Sequence, residues 1–451
     1  MSKPAICVIG MGYIGLPTAI IFANKNFKVS GCDVNQRIVD AVNNKAPLIA
    51  EPELNERLAK AVDSGNLKAY NAPVPSDIYI IAVPTPVHHE TKAPDLCYVI
   101  SATKSILPIL KKGDLVVLES TVPPGTTDTI IRNMIVQAGF VAGDEVDIAH
   151  APEKAIPGKL FYELEHNDRI VGGIDEQSTI RVANLYRFMT EGMVMTTDST
   201  SAEMVKLVEN TYRDVNIALA NEFALLAEKL GLDIWEIIEC ANHHPRVNVH
   251  QPGPGVGGHC IAVDPWFLVD AAPETMRLVN MARTINDAMP AHVVDTIIQL
   301  TAHIKERPKV AVLGLTFKAN IDDVRESPSV TVCKILEERG VKYAAYDPWV
   351  KRNLVRGQTQ SIEEAIAGAD VLVLLVGHER FKEIDPASLG PLMRHRILYD
   401  TKNCADRDSF ALAGFNIHVL GGRSSDSIET ADSPICDSAG IPSHVAGHCG
   451  K

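Results

Sequence analysis

Two periodicities of apolar residues divide this chain. From the N-terminus to Val171, short apolar runs alternate with amphipathic stretches. The runs are Ala5–Ile9, Val29–Cys32, Ile78–Val83, Leu115–Leu118, Val146–Ala149 and Ile170–Val171; the stretches include Leu16–Asn24 and Asp128–Ala138. Runs this short and continuous predict strands, and the alternation predicts a mostly parallel sheet with helices on both faces. From Ser199 to Gly231 the pattern becomes one long helical stretch. Val205, Val208, Tyr212, Val215, Leu219 and Phe223 recur at helical spacing, with Ser201 placed to cap the helix and Gly231 to end it. More helix is expected over Asp233–Ala241 and Thr275–His303. After Pro308 strand–helix alternation resumes, with runs at Lys309–Leu313, Lys342–Tyr346, Val371–Val376, Ile397–Tyr399 and Asn416–Leu420.

The expected fold is therefore α/β, with two Rossmann-like doubly wound domains joined by an α-helical middle domain with a long central helix. The boundaries drawn from the pattern are 1–198, 199–303 and 304–422. Residues 423–451 are Ser/Asp/Gly-rich without periodicity and are expected to form a disordered tail. Cys436, His444, His448 and Cys449 lie there without a second close ligand pair, so no metal site is expected.

A length of 451 residues suits roughly three domains, and 46% hydrophobic with 22% charged residues is ordinary for a soluble globular protein. A net charge of −13 argues against a general binder of nucleic acid or membrane surfaces; an anionic ligand would need a local Lys/Arg cluster. No apolar run approaches the ~18 residues of a membrane span. The opening MSKPAICVIGMGYIG reads as a strand entering a turn, not as a signal peptide. Nine cysteines at irregular spacing, without a CxxC pair, suggest reduced thiols and a cytoplasmic protein.

Gly10-Met-Gly12-Tyr13-Ile14-Gly15 follows the first strand and opens a helix, where close backbone approach and a helix N-terminus suit a pyrophosphate. Asp33 ends the second strand 18 residues after Gly15, near the ~20 expected of the acid that bonds ribose hydroxyls. A carboxylate there repels a 2′-phosphate, so the expected cofactor is NAD. Val83-Pro-Thr85-Pro86 and the segment Glu119–Thr126, with Thr121, follow strands at the same edge. Their hydroxyls either meet the cofactor or bond their own turns.

Lys206, Asn210, Arg213 and Asp214 share one side of the long helix. They form either a solvated face or a stripe suited to an oxyanionic ligand. Gly253-Pro-Gly-Val-Gly-Gly-His-Cys260 holds a thiol in a loop too glycine-rich for helix or strand, with Asp264 four residues on. That suits a nucleophile attended by a base; the alternative is an inert buried Cys in a tight turn. Lys318 and Arg325, in Leu315–Pro328, could hold phosphates or belong to a solvated loop.

GMGYIG, VPTP, STVPPGT, APEKAIPG, AEMVKLVEN, GVGGHCIAVDP and FKANIDDVRESP, in this order over residues 4–422, resemble the UDP-glucose/GDP-mannose dehydrogenase family. NHHPRVN with GPGVGGHCIAVDPWF points to its hexosamine branch. The resemblance implies oxidation of the C6 alcohol of a UDP-N-acetylhexosamine to a carboxylate, with two NAD⁺ consumed, for surface-polysaccharide synthesis. N-acetylmannosamine is the expected sugar and its C2 epimer N-acetylglucosamine the alternative. It further implies Cys260 as nucleophile and Lys206 as proton donor and acceptor, assisted by Asn210 and Asp264. Glu153 would help water attack a thioester.

Gly10, Gly12, Tyr13, Ile14, Gly15 and Asp33, with Thr85, Thr121 and Thr126, match cofactor positions. Lys154, Ala155, Lys206, Asn210 and Arg213 match sugar-nucleotide positions, as do His244, Arg246, Gly257, Lys318, Ala319 and Arg325. In the family the Arg equivalent to Arg246 can reach the neighbouring subunit, which implies a homodimer or higher homo-oligomer. Lys154 stands where the branch usually has Arg, keeping the charge without the bidentate fork. Two other readings compete. A two-electron β-hydroxyacid dehydrogenase would leave the Cys loop unexplained, and a non-catalytic NAD-binding protein would leave Lys206, Asn210, Cys260 and Asp264 without work.

Overall fold

The computed structural model describes residues 3–423 apart from Ala50, His89 and Pro157. The tail expected over 423–451 lies outside the described residues beyond Arg423, and so do its cysteines and histidines.

The first sheet has eight strands: β1 Ile6–Ile9, β2 Val29–Cys32, β3 Leu67–Tyr70, β4 Ile78–Ile81, β5 Asp114–Leu118, β6 Val146–His150, β7 Arg169–Gly173 and β8 Val194–Asp198. Their order is β3-β2-β1-β4-β5-β6-β7-β8, and only β6 and β7 pair antiparallel. The order reverses between β1 and β4, so the loops leaving those strands flank the crevice where such sheets bind ligands. β1 and β4 are buried at every position, as strands covered by helices on both faces must be. β3 and β8 went unpredicted for a physical reason. Leu67-Lys-Ala-Tyr70 alternates buried and exposed residues, and Val-Met-Thr-Thr-Asp in β8 forms a largely exposed edge. Neither outer strand needs a continuous apolar run.

A helix of 32 residues, Ser199–Leu230, follows β8. Its cap is Asp198, whose carboxylate accepts from the Ser201 backbone at 2.8 Å and from the Ser201 hydroxyl at 2.6 Å. The expected cap, Ser201, instead lies inside the first turn. Gly231, at φ 66°, ends the helix in the left-handed conformation that glycine takes without strain.

The long helix is inside out. Its buried face carries Glu203, Lys206, Asn210, Asp214 and Asn221 among alanines, while Val208, Tyr212, Leu219, Phe223, Leu226 and Leu230 are 40–61% exposed. The inward polar groups find partners on the helix Arg277–Thr301. Arg283 pairs with Asp214 at 2.6 Å, Asn286 donates to Asp214 at 2.8 Å, and Asn221 donates to Asn286 at 2.9 Å. Buried polar groups paired across the two helices in this way fix one register, since any slip would strand a charge. The shorter helices Ile234–Asn242 and Asp264–Ala271 complete the helical middle.

The second sheet comprises β9 Lys309–Leu313, β10 Lys342–Tyr346, β11 Val371–Leu374, β12 Ile397–Asp400 and β13 Asn416–Val419. It is parallel throughout in the order β10-β9-β11-β12-β13, the other common doubly wound arrangement. Among the described residues no helix is long and apolar enough to cross a membrane.

Candidate active site

The glycine turn after β1 is tight where the protein needs it and open where a ligand would lie. A Cβ on Gly10 would sit 2.4 Å from the Ala82 carbonyl oxygen, and one on Gly15 only 1.8 Å from that of Gly10. A Cβ on Gly12 would meet nothing within 4 Å. That open side, beside the helix beginning at Gly15, fits a pyrophosphate. Asp33 braces the turn: its carboxylate accepts from the Met11 and Asn35 backbones at 3.0 and 2.9 Å, which leaves lone pairs for ribose hydroxyls. The residues present therefore fit an NAD.

The loops after β4 and β5 are tied together at this edge. Thr85 donates its hydroxyl to the Thr121 carbonyl at 2.6 Å, and Ser120 exchanges hydrogen bonds with the Val83 backbone. Thr126 donates to its own turn at Pro123, 2.7 Å away. Each hydroxyl retains its acceptor lone pairs. Below, Glu119 is buried with Thr18, Arg169 and Tyr186 at 3.0–3.1 Å, anchoring the base of its loop.

Across the crevice the long helix turns Lys206 and Asn210 inward to meet Glu153, Cys260 and Asp264. Asn210 donates to Asp264 at 2.6 Å. Burial opposes the Lys206 ammonium, but Glu153, Cys260 and Asp264 together overcome this and hold its pKa above the ordinary lysine value. Burial pushes the Glu153 carboxyl up to about 7 against the pull of Lys206, and the Asp264 carboxyl up to about 6 against Lys206 and Asn210. The Cys260 thiol is pushed up to about 11 by burial and then by Asp264, with Lys206 pulling down. Solvent still reaches Cys260, which is exposed. The Lys206 cation thus sits among two carboxyls and a thiol, all with displaced proton affinities, as at many catalytic sites.

The glycines of the Cys loop divide their work. Gly255 and Gly258 take positive φ, 129° and 92°. Gly253 and Gly257 do not; there a Cβ would strike Lys402 Nζ at 2.9 Å and the Glu326 carbonyl oxygen at 2.5 Å. Gly257 is thus held by close packing against the segment Leu315–Pro328. Gly258 also donates to the Arg325 carbonyl at 3.1 Å. The charged segment is accordingly a buttress of the Cys loop as well as a source of cations. Asp347 fixes its start by accepting from Leu315 and Thr316 at 2.6 and 3.1 Å, and buried His378 bonds Asp347 and the Asn320 backbone. Arg325 forks onto Asp323, while Lys318 is exposed and Ala319 half-buried.

Of the other residues matched to the sugar nucleotide, Lys154 and Ala155 adjoin the thiol cluster through Glu153, and Arg213, His244 and Arg246 lie elsewhere on the surface. Lys154 pairs with Glu209 at 2.6 Å, and Ala155 donates its backbone N–H to Glu153. Arg213 lines a separate concavity of about 1230 Å³ with Asn242, Asn248, His250 and Arg407. His244 and Arg246 are exposed on the loop after Asn242, bonded to each other.

Three carboxylates were missed as members of the site. Glu203 accepts from the Gly125 and Thr127 backbones, pinning the loop after β5 to the long helix. Glu209 holds Lys154. Glu51 bonds Tyr13 and Gly158. No spacing announces them, because each acts on a segment distant in sequence.

A doubly wound sheet with this glycine cradle, facing a thiol loop braced by a second nucleotide-type sheet, defines an NAD-dependent dehydrogenase. Profiles of three domains match in order: the UDP-glucose/GDP-mannose dehydrogenase NAD binding domain at residues 4–190, the central domain at 200–288 and the UDP binding domain at 311–407. The chain belongs to the UDP-glucose/GDP-mannose dehydrogenase family, and it is an oxidoreductase that uses NAD on a UDP-sugar. It is 43% identical over 423 residues to a UDP-N-acetyl-D-mannosamine dehydrogenase of Methanococcus maripaludis, covering 92% of this chain and 96% of that one. It is 44% identical over 408 residues to an NDP-N-acetyl-D-galactosaminuronic acid dehydrogenase of Ralstonia solanacearum, covering 88% and 95%. Among solved structures, a UDP-D-ManNAc dehydrogenase from Pyrococcus horikoshii superimposes with a TM-score of 0.86 at 39% identity, covering 92% and 99%.

Proposed function

We propose that this enzyme oxidises UDP-N-acetyl-D-mannosamine at C6 to the uronate by a four-electron reaction through Cys260, in the cytoplasm, for surface-polysaccharide synthesis. The observation that carries the reading is the grouping of Glu153, Lys206, Asn210 and Asp264 around the Cys260 thiol. NAD⁺, when bound, supplies the hydride acceptor for each of the two oxidations.

The protein's part follows from its proton affinities. A thiol pushed up to about 11 is protonated at neutral pH, so its attack on the C6 aldehyde must hand a proton to a neighbour. Asp264, oriented by Asn210, stands ready to take it. The Lys206 ammonium stays charged and suits the oxyanion of the thiohemiacetal, with Asn210 beside it. Loss of the second hydride leaves a thioester on Cys260. Glu153, close to half ionised near neutrality, suits the activation of water that frees the acid. Covalent capture keeps the aldehyde from escaping.

The division of labour follows the three units, with NAD on 1–198, the chemical groups of Lys206 and Cys260 on 199–303, and the UDP moiety on 304–422. A homodimer completes the reading. An exposed apolar stripe on a helix whose polar side faces inward is the reverse of a monomer surface, and a second copy would cover it. Exposed Arg246 is then free to reach the neighbouring site. Free cysteines throughout the described residues agree with a reducing compartment.

The deciding assay is a panel of UDP-sugars followed by NADH absorbance and product mass. Two NADH per uronate with UDP-N-acetylmannosamine preferred supports the reading; one NADH per accumulated aldehyde overturns it.

A further inference from the structure

Glu51 touches three separate parts of the site and has no place in the chemistry above. It accepts a hydrogen bond from the Tyr13 hydroxyl in the glycine turn. It also accepts from the Gly158 backbone at 2.8 and 3.1 Å, and from that of Leu160. These last groups open the helix Leu160–His166, directly after the segment bearing Glu153 and Lys154. Lys318, from the second sheet's unit, lies close enough to favour the ionised carboxylate.

Tyr13 is itself shared, since the Arg325 guanidinium stands 6.0 Å from its ring centroid. A further tie links the Glu51 segment to the substrate-side segment, which is itself held internally. Arg57 pairs with Glu165 at 2.7 Å, and Ile156 donates to Glu163 at 2.9 Å. A half-buried carboxylate whose partners come from three segments links their order, because fixing one partner lowers the entropy lost in fixing the others.

We propose that Glu51 is a positioning residue that couples the two ligand sites, so that NAD⁺ held against Tyr13 orders residues 153–156 and 158–160 for the sugar nucleotide, and the reverse. The proposal rests on the reading of the two sites as NAD and UDP pockets, but not on the Cys260 chemistry. Coupling of this kind must be reciprocal.

The test is calorimetric titration of the full chain with UDP and with NAD⁺, each alone and in the presence of the other. UDP carries no sugar, so nothing turns over. In the wild-type protein each ligand is expected to tighten the other by the same factor, at least about fivefold. In Glu51→Ala that factor is expected to fall to within about twofold of unity. Tyr13→Phe, which removes one hydroxyl and keeps the ring, gives the same loss and serves if Glu51→Ala does not fold. Independent binding in the wild type, or wild-type coupling retained in a folded variant, overturns the proposal alone. Failure of the wild type to bind UDP or NAD⁺ at all overturns the functional reading, and this proposal with it.

Discussion

At the scale of single residues, proton affinity orders the proposed chemistry. Burial brings Glu153 to about 7, so the fraction able to activate water grows as pH rises through that value and falls about tenfold per unit below it. Hydrolysis of a preformed acyl-enzyme, followed by rapid quench, is expected to track that curve. Glu153→Gln is expected to slow the step about 100-fold or more and leave an adduct on Cys260 visible by intact mass. A flat profile in the wild type would remove Glu153 from the role. The glycines make a sharper contrast. Gly15→Ala forces a Cβ onto the Gly10 carbonyl and should lower the melting temperature, whereas Gly12→Ala meets only open space. Gly12→Ala is therefore expected to melt like the wild type while binding NAD⁺ about tenfold more weakly, a difference of about 1.4 kcal/mol readable by calorimetry.

At the scale of elements, the sequence made the interior strands legible because strands covered on both faces must be continuous apolar runs. Lys309–Leu313 emerges as the pattern drew it, and so does the outer strand Lys342–Tyr346, whose last three residues are buried, while β3 and β8, alternating or largely exposed, escaped. The long helix was visible in extent but not in orientation. Periodicity finds an apolar stripe without saying whether it faces core or solvent, and here the alanines and amides face inward. Its cap was misread by three residues, since Asp198 reaches forward to a Ser201 that itself looked like a cap. Asp198→Ala is expected to cost ~1 kcal/mol in denaturant unfolding, and Ser201→Ala less. Within the site, the motif residues Cys260, Lys206 and Asp264 could be named from the chain. Glu51, Glu203 and Glu209 could not, because their partners lie 38 or more residues away and only the fold juxtaposes them.

For the whole molecule, the proposed dimer makes a complementation experiment decisive. If Arg246 serves the neighbouring site, Cys260→Ala and Arg246→Ala chains are each inactive alone. Mixed after unfolding and refolding, they form hybrid dimers in which one site has both groups intact. Random pairing then restores about a quarter of wild-type activity, measured as NADH formation. Persistent inactivity of the mixture would confine each site to a single chain.

The inverted faces of the long helix have a consequence for how such an enzyme would fail. The surface proposed to recruit a second copy lies on the reverse side of the same rod that presents Lys206 and Asn210 to the sulfur, so in that reading assembly and reactivity share one element. Dilution below the dimer dissociation constant would then extinguish turnover while the separated chains still held their shape, and adding back protein alone would revive it.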